Sequence, residues 1–215
     1  MNVYISIDGV LRNFVSRFHY HYEQAYVDVE NPDESFEYKV IEPIANDNLM
    51  NCFTFQSKEE YDFFRYIEYP MELYGHSPVS YNGAINDLNK YIHENPTHNV
   101  TLVGLDEFGK SRPATFFFLS RNGCMVNNVK FITSDNISKE WENVDIWISD
   151  NKQIMESCPE GKEFQLFETK YNQHFTYDKK INKLIEEENE RIQKAAENSK
   201  RTKSTNKNTP QNPRR

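Results

Sequence analysis

Hydrophobic positions along this chain follow two rhythms, one of strands and one of helices. Val3, Tyr4, Ile5 and Ile7 form a β-branched and aromatic run that predicts a buried strand. Asp8-Gly9 breaks that run, and Leu11 onward reads as helix. From Asn13 to Val27 a stripe of Phe14, Phe18, Tyr22 and Tyr26, spaced by four, gives that helix one apolar face. His19 and His21 lie two apart and would point in different directions from it, which argues against a shared metal. Asn31-Pro32-Asp33 is a break, and the stretch from about 30 to 80 is less regular. It holds an apolar patch around Met50, Cys52, Phe53 and Phe55, followed by the capping box Ser57-Lys58-Glu59-Glu60. The helix opened by that box runs through Ile67 and should end before Pro70. Ala84 to His93 reads as an amphipathic helix with Ile85, Leu88 and Ile92 on one face.

From Asn99 the pattern becomes a regular alternation. Strands are expected at Val100–Gly104, Val129–Thr133, Val144–Ile148 and Phe164–Phe167. Between them, a helix starts at Ser111-Arg112-Pro113 and stops at Asn122-Gly123, a short one covers Ile137–Trp141, and a third runs to about Glu156. This spacing implies α/β architecture, a parallel sheet with both faces covered by helices. Tyr177 to Glu197 is helical in composition, with a narrow stripe of Ile181, Leu184, Ile185 and Ile192. Beyond Asn198 the chain is polar and basic, an extended tail.

The 215 residues suit one ordinary domain with an appendage, and 14% aromatic residues give it a real core. Cys52, Cys124 and Cys158 are scattered and odd in number, so neither a disulfide framework nor a zinc site is implied. The net charge is -8, yet Ser199 to Arg215 holds six basic residues and no acidic one. An acidic body therefore carries a basic tail, which argues against nucleic-acid binding by the body and leaves the tail only salt-sensitive, sequence-blind contact. No apolar run approaches a membrane span, and no charged, then apolar, leader opens the sequence. The expectation is cytoplasmic residence or a place within an assembly, without secretion by a signal of its own. Few glycines and many Asn, Lys, Ile, Tyr and Phe fit an AT-rich genome, a viral one included.

Ser6-Ile7-Asp8-Gly9-Val10 resembles the first motif of the haloacid-dehalogenase-like (HAD) phosphatase superfamily, Asp-x-Asp-Gly-[Thr/Val]. Val144–Ile148 followed by Ser149-Asp150-Asn151 looks like that superfamily's fourth, metal-binding motif. Lys139 is placed like the phosphate-steadying lysine of its third, and Pro159–Lys162 with Tyr171-Asn172 looks like the tail of nucleotidase-type members. Taken singly, Asp8-Gly9 is an ordinary turn, Asp150-Asn151 a helix cap and Lys139 a solvated charge; their joint order carries the resemblance. It implies a HAD-like, Rossmannoid domain over residues 1–175 with a small cap insertion at about 30–80. A C-terminal helix (176–198) and a basic extended tail (199–215) follow.

The resemblance also marks departures. The nucleophile and magnesium-ligand position is Ser6, Gly104 stands where a strand-ending Ser or Thr would bind phosphate, and Ser149 stands beside Asp150 where two acids are common. Ser6 has no evident base to activate it, and its hydroxyl removes an anionic magnesium ligand. Asp8 is left as a vestigial acid/base and Asp150 as a vestigial metal ligand. These departures imply a non-catalytic HAD-like structural or interaction protein without a cofactor. It would be a subunit of a larger assembly, a viral particle among the candidates, docked on protein partners through residues 176–215. The alternative is a magnesium-dependent phosphatase or nucleotidase using Asp8, Lys139 and Asp150.

Overall fold

Six strands form one all-parallel sheet in the order β3-β2-β1-β4-β5-β6. They are β1 (Asn2–Ser6), β2 (Asn99–Leu105), β3 (Val129–Ile132), β4 (Ile146–Ser149), β5 (Glu163–Phe167) and β6 (Lys180–Ile181). The computed structural model describes residues 1–27, 40, 44 and 49–185. Parallel neighbours cannot be joined by tight turns, so each crossover carries other structure. Before β2 these are α1 (Phe14–Tyr22), α2 (Leu49–Cys52), α3 (Lys58–Phe63) and α4 (Ala84–Glu94). After it come α5 (Arg112–Arg121), α6 (Ile137–Glu140) and α7 (Lys152–Glu156). None of the helices among the described residues is long and apolar enough to cross a membrane.

Strand alternation assigns these helices to opposite faces. Val3 and Ile5 pack with Leu88 of α4 and with Phe118 and Leu119 of α5. Tyr4, pointing the other way, packs with Trp141, Trp147 and Ile154 on the side of α6 and α7. A third cluster lies between β1 and β2 in sequence and is aromatic: Phe14, Phe18, Tyr22, Phe53, Tyr61 and Phe64 are its centre. Burying each such ring stabilises by roughly 1.5–3 kcal/mol. Among its described residues the insertion has only the short helices α2 and α3. Wider π-turns at Phe64–Glu68 and Met71–Gly75 follow them, and Ser57 caps α3 by accepting the Glu60 amide at 3.1 Å.

The structure departs from sequence expectation at three places. Residues 9–12 form a turn closed by the Arg12 amide on the Ile7 carbonyl (2.9 Å), and α1 begins only at Phe14 with Asn13 as its cap. Gly104 does not end β2. It lies inside the strand opposite Phe131, whose ring would be 3.1 Å from a Cβ there. The expected helix from Tyr177 is replaced at Lys180–Ile181 by β6, which pairs with Leu166 and Phe167. Composition favours helix, but the open edge of β5 offers backbone partners that propensity does not weigh. The compact unit containing the sheet runs from Met1 to Leu184, past the expected end at 175. Most of the expected C-terminal helix and all of the tail lie outside the described residues.

Candidate functional site

The order of the strands already points to a place. β2 and β3 extend to one side of β1, and β4 then returns on its other side. At such a reversal the crossovers diverge and leave a crevice at the carboxyl ends of the two strands. Ser6 and Asp8 arrive there from β1, and Ser149 and Asp150 from β4. The crevice is a cavity of about 190 Å³ whose lining includes all four, together with Asn151. Phe14 of α1 and, from the insertion, Leu49, Tyr61, Arg65 and Tyr66 complete the lining.

Ser6 and Ser149 point the same way because they share the strand face of Tyr4 and Trp147. Their hydroxyls meet: Ser6 Oγ donates to Ser149 Oγ at 2.8 Å. Trp147 Nε1 donates to Ser6 Oγ at 3.2 Å, and the Asn151 amide donates to Ser149 Oγ at 3.2 Å. Both serines are buried, Ser149 completely. The result is a neutral, internally satisfied chain of hydrogen bonds, which is how buried hydroxyls avoid a desolvation cost. Neither hydroxyl faces a base, since the partner of each is another hydroxyl, an indole or an amide.

Asp8 is also engaged. Its carboxylate accepts from Arg12 Nε at 2.6 Å. Arg12 is 1% exposed and donates further to the Tyr74 carbonyl (2.9 Å) and Thr115 Oγ1 (3.0 Å). Its guanidinium also lies 4.9 Å from the centre of the Tyr74 ring. The turn at residues 9–12 brings Arg12 onto Asp8, and Gly9 makes that turn possible with φ +79°. A Cβ at Gly9 would overlap the Asp150 carboxyl group at 2.0 Å, so the two aspartate loops pack with no space between them. Asp150 is 2% exposed, and its carbonyl accepts from Asn172 Nδ2 at 3.3 Å. Asn151 caps α7 through the Ile154 amide at 3.1 Å.

Three of the residues singled out in the sequence, Ser6, Asp8 and Asp150, therefore come together with Ser149. Lys139 does not join them. It is exposed on α6 and outside the cavity lining. The edge position of β2 belongs to Leu105-Asp106 and not to Gly104. Asp106 is buried, and its carboxylate accepts the amides of Phe108, Lys110 and Ser111 at 3.2 Å each, which fixes the loop into α5.

Sequence reasoning missed Arg12 and Arg65. For Arg12 the signal was present as a cation four residues after Asp8; for Arg65 only the fold brings it to the cavity. Arg65 donates to the Tyr74 hydroxyl and to Tyr61 Oη at 2.9 Å, with its Cζ 4.9 Å from the ring centres of both Phe14 and Tyr66. Burial pushes the phenols of Tyr66 and Tyr74 up, which keeps them protonated beside it.

The donor set does not match what magnesium takes. That ion prefers hard, charged oxygens in octahedral geometry. Here the Ser6 hydroxyl is neutral and donates its hydrogen bond to Ser149, and one oxygen of the Asp8 carboxylate is taken by Arg12. Among the described residues no group of three or more His, Cys, Asp or Glu side chains converges. Neither a protein-family model nor a curated protein matches the sequence.

Proposed function

We propose that this chain is a non-catalytic HAD-like protein, an interaction or structural subunit that docks on a protein partner through its C-terminal segment. The observation that carries the reading is the Ser6–Ser149 hydroxyl pair, 2.8 Å apart and tied to Trp147, where phosphoryl transfer would need an anion. A carboxylate nucleophile has to attack phosphorus while a cation neutralises the phosphate. Two neutral hydroxyls with satisfied bonds do neither. Asp8, bonded to a buried arginine, organises the loop in place of shuttling protons. The six basic residues of 199–215, against an acidic body, supply the docking argument.

The magnesium-dependent phosphatase is the competing reading, favoured by Asp8 and Asp150 sharing one cavity. Release of phosphate from nucleoside monophosphates with magnesium separates the two. The wild-type chain is expected to release none. Turnover abolished by Asp8→Asn would establish the phosphatase instead. Docking is tested by comparing the full chain with one ending at Ile185, which keeps β6. The shorter chain is expected to lose association with its partner; unchanged association would remove the docking role.

A further inference from the structure

The geometry points to Arg65 as the receptor for the carboxylate of a small, largely apolar monocarboxylic acid held in the cavity between the insertion and the sheet edge. This goes beyond the proposed function and stands whether or not the C-terminal segment docks on a partner.

Arg65 is half-buried, and among the described residues it has no carboxylate partner. Its charge is met only by two phenol hydroxyls and by the faces of aromatic rings. A partly desolvated cation without a counter-charge carries some desolvation cost, and a bound anion offsets it. Arg65 also has donors to spare. A guanidinium carries more N–H groups than the two bonds to Tyr61 and Tyr74 consume. The one buried nitrogen or oxygen left without a partner among the described residues is His21 Nε2. Nη2 of Arg65, which has no hydrogen bond among the described residues, is therefore not sealed off, and Arg65 lines the cavity. Rings at 4.9 Å hold its plane, so the Nη1/Nη2 end, which keeps N–H groups after these two bonds, is presented in a fixed orientation. Planar, two-pronged recognition suits a carboxylate.

The rest of the lining decides between anions. Glu107 and Asp150 border the same space as Asp8, whose charge Arg12 meets, so a doubly charged phosphate would face more negative charge than Arg65 offsets. A singly charged carboxylate adds less repulsion. Phe14, Leu49, Tyr61 and Tyr66 then offer apolar wall to the body of the acid.

The test is a titration of the full chain by NMR with benzoate, with inorganic phosphate, and with benzyl alcohol as the uncharged analogue. Saturable shifts are expected with benzoate at resonances around the cavity. Benzyl alcohol should bind at least about tenfold more weakly, the loss expected for a charge-assisted pair. Arg65→Gln should weaken benzoate by at least about tenfold as well. Arg65→Lys keeps the charge and guards against a folding defect in the glutamine variant; with the melting temperature of the wild type it should still bind several-fold more weakly, since the planar fork is gone. Phosphate binding ahead of benzoate would overturn the proposal. So would benzoate binding unchanged in a folded Arg65 variant, or no saturable binding to the wild type.

Discussion

The sheet and the insertion are held together by different chemistry. In the sheet, side chains alternate between two helix-covered faces, Val3, Ile5 and Leu102 on one and Tyr4, Val103 and Trp147 on the other, and the backbone ladder fixes their register. In the insertion and α1, rings pack on rings around Phe18, which lies 4.9 to 6.2 Å from Phe14, Phe53, Phe55, Tyr61 and Phe64, and among the described residues of the insertion the backbone runs in short helices and π-turns. The first region owes its shape to the backbone ladder, the second to its side chains. Arg12 joins them, because one buried guanidinium holds Asp8 of the sheet edge, the Tyr74 carbonyl of the insertion and Thr115 of α5.

The largest effect should therefore come from that joint. Arg12→Ala leaves the Asp8 carboxylate without its cation and the Tyr74 carbonyl without this donor. A loss of about 3 kcal/mol is expected, the low end for breaking a buried pair because Asp8 keeps some access to water. Urea unfolding at pH 7 measures it. A loss below about 1 kcal/mol would mean that sheet and insertion do not depend on each other here.

Phe18→Ala should be of similar size, costing about 3 kcal/mol by cavity formation in the aromatic cluster. What sharpens the contrast is where the damage falls. Amide hydrogen exchange should accelerate in α1, α3 and the turns at 64–75 while β1, β2 and β4 keep their protection. Ile5→Ala should do the reverse and loosen every strand. Equal acceleration of both regions in both variants would erase the distinction.

The sequence made this difference visible in advance. The strands β1 to β5 and the helices α4 and α5 were readable because apolar period and turn residues agree there, as at Pro113 and Gly123. The insertion was readable only at its cap, Ser57, and along the Phe14–Phe18–Tyr22 stripe, since its folding rests on ring contacts distant in sequence. β6 was missed for a similar reason: Lys180–Ile181 is a strand because β5 has an open edge, not because of its own composition. Asp8, Ser6 and Asp150, singled out by their order along the chain, line one cavity. Arg12's hold on Asp8, the Ser6–Ser149 bond and Arg65's place at the cavity all depend on geometry no local pattern encodes.

The smallest predicted effect concerns acid. His21 stacks on Tyr69 with ring centres 5.7 Å apart and has a buried, unpartnered Nε2. Burial lowers its pKa below the usual 6.5, Arg17 adds to that, and Glu72 opposes it. The neutral imidazole is thus the form the fold prefers. Its contribution is fully present above pH 6.5 and is lost as the pH falls toward the lowered folded value. Between pH 7.5 and 5.5 the insertion should loosen before the sheet, seen as faster exchange at α1 after correction for intrinsic rates. His21→Phe should flatten that dependence; an unchanged slope in the variant would assign it elsewhere.

The claim at the centre of this account is that two hydroxyls have taken the place of an anionic metal-and-nucleophile site between β1 and β4. Isothermal calorimetry of the full chain with magnesium chloride tests it most directly. The account predicts no stoichiometric binding to the wild type, and binding that emerges in the Ser6→Asp variant. A one-to-one magnesium site in the wild type, abolished by Asp150→Asn, would contradict it.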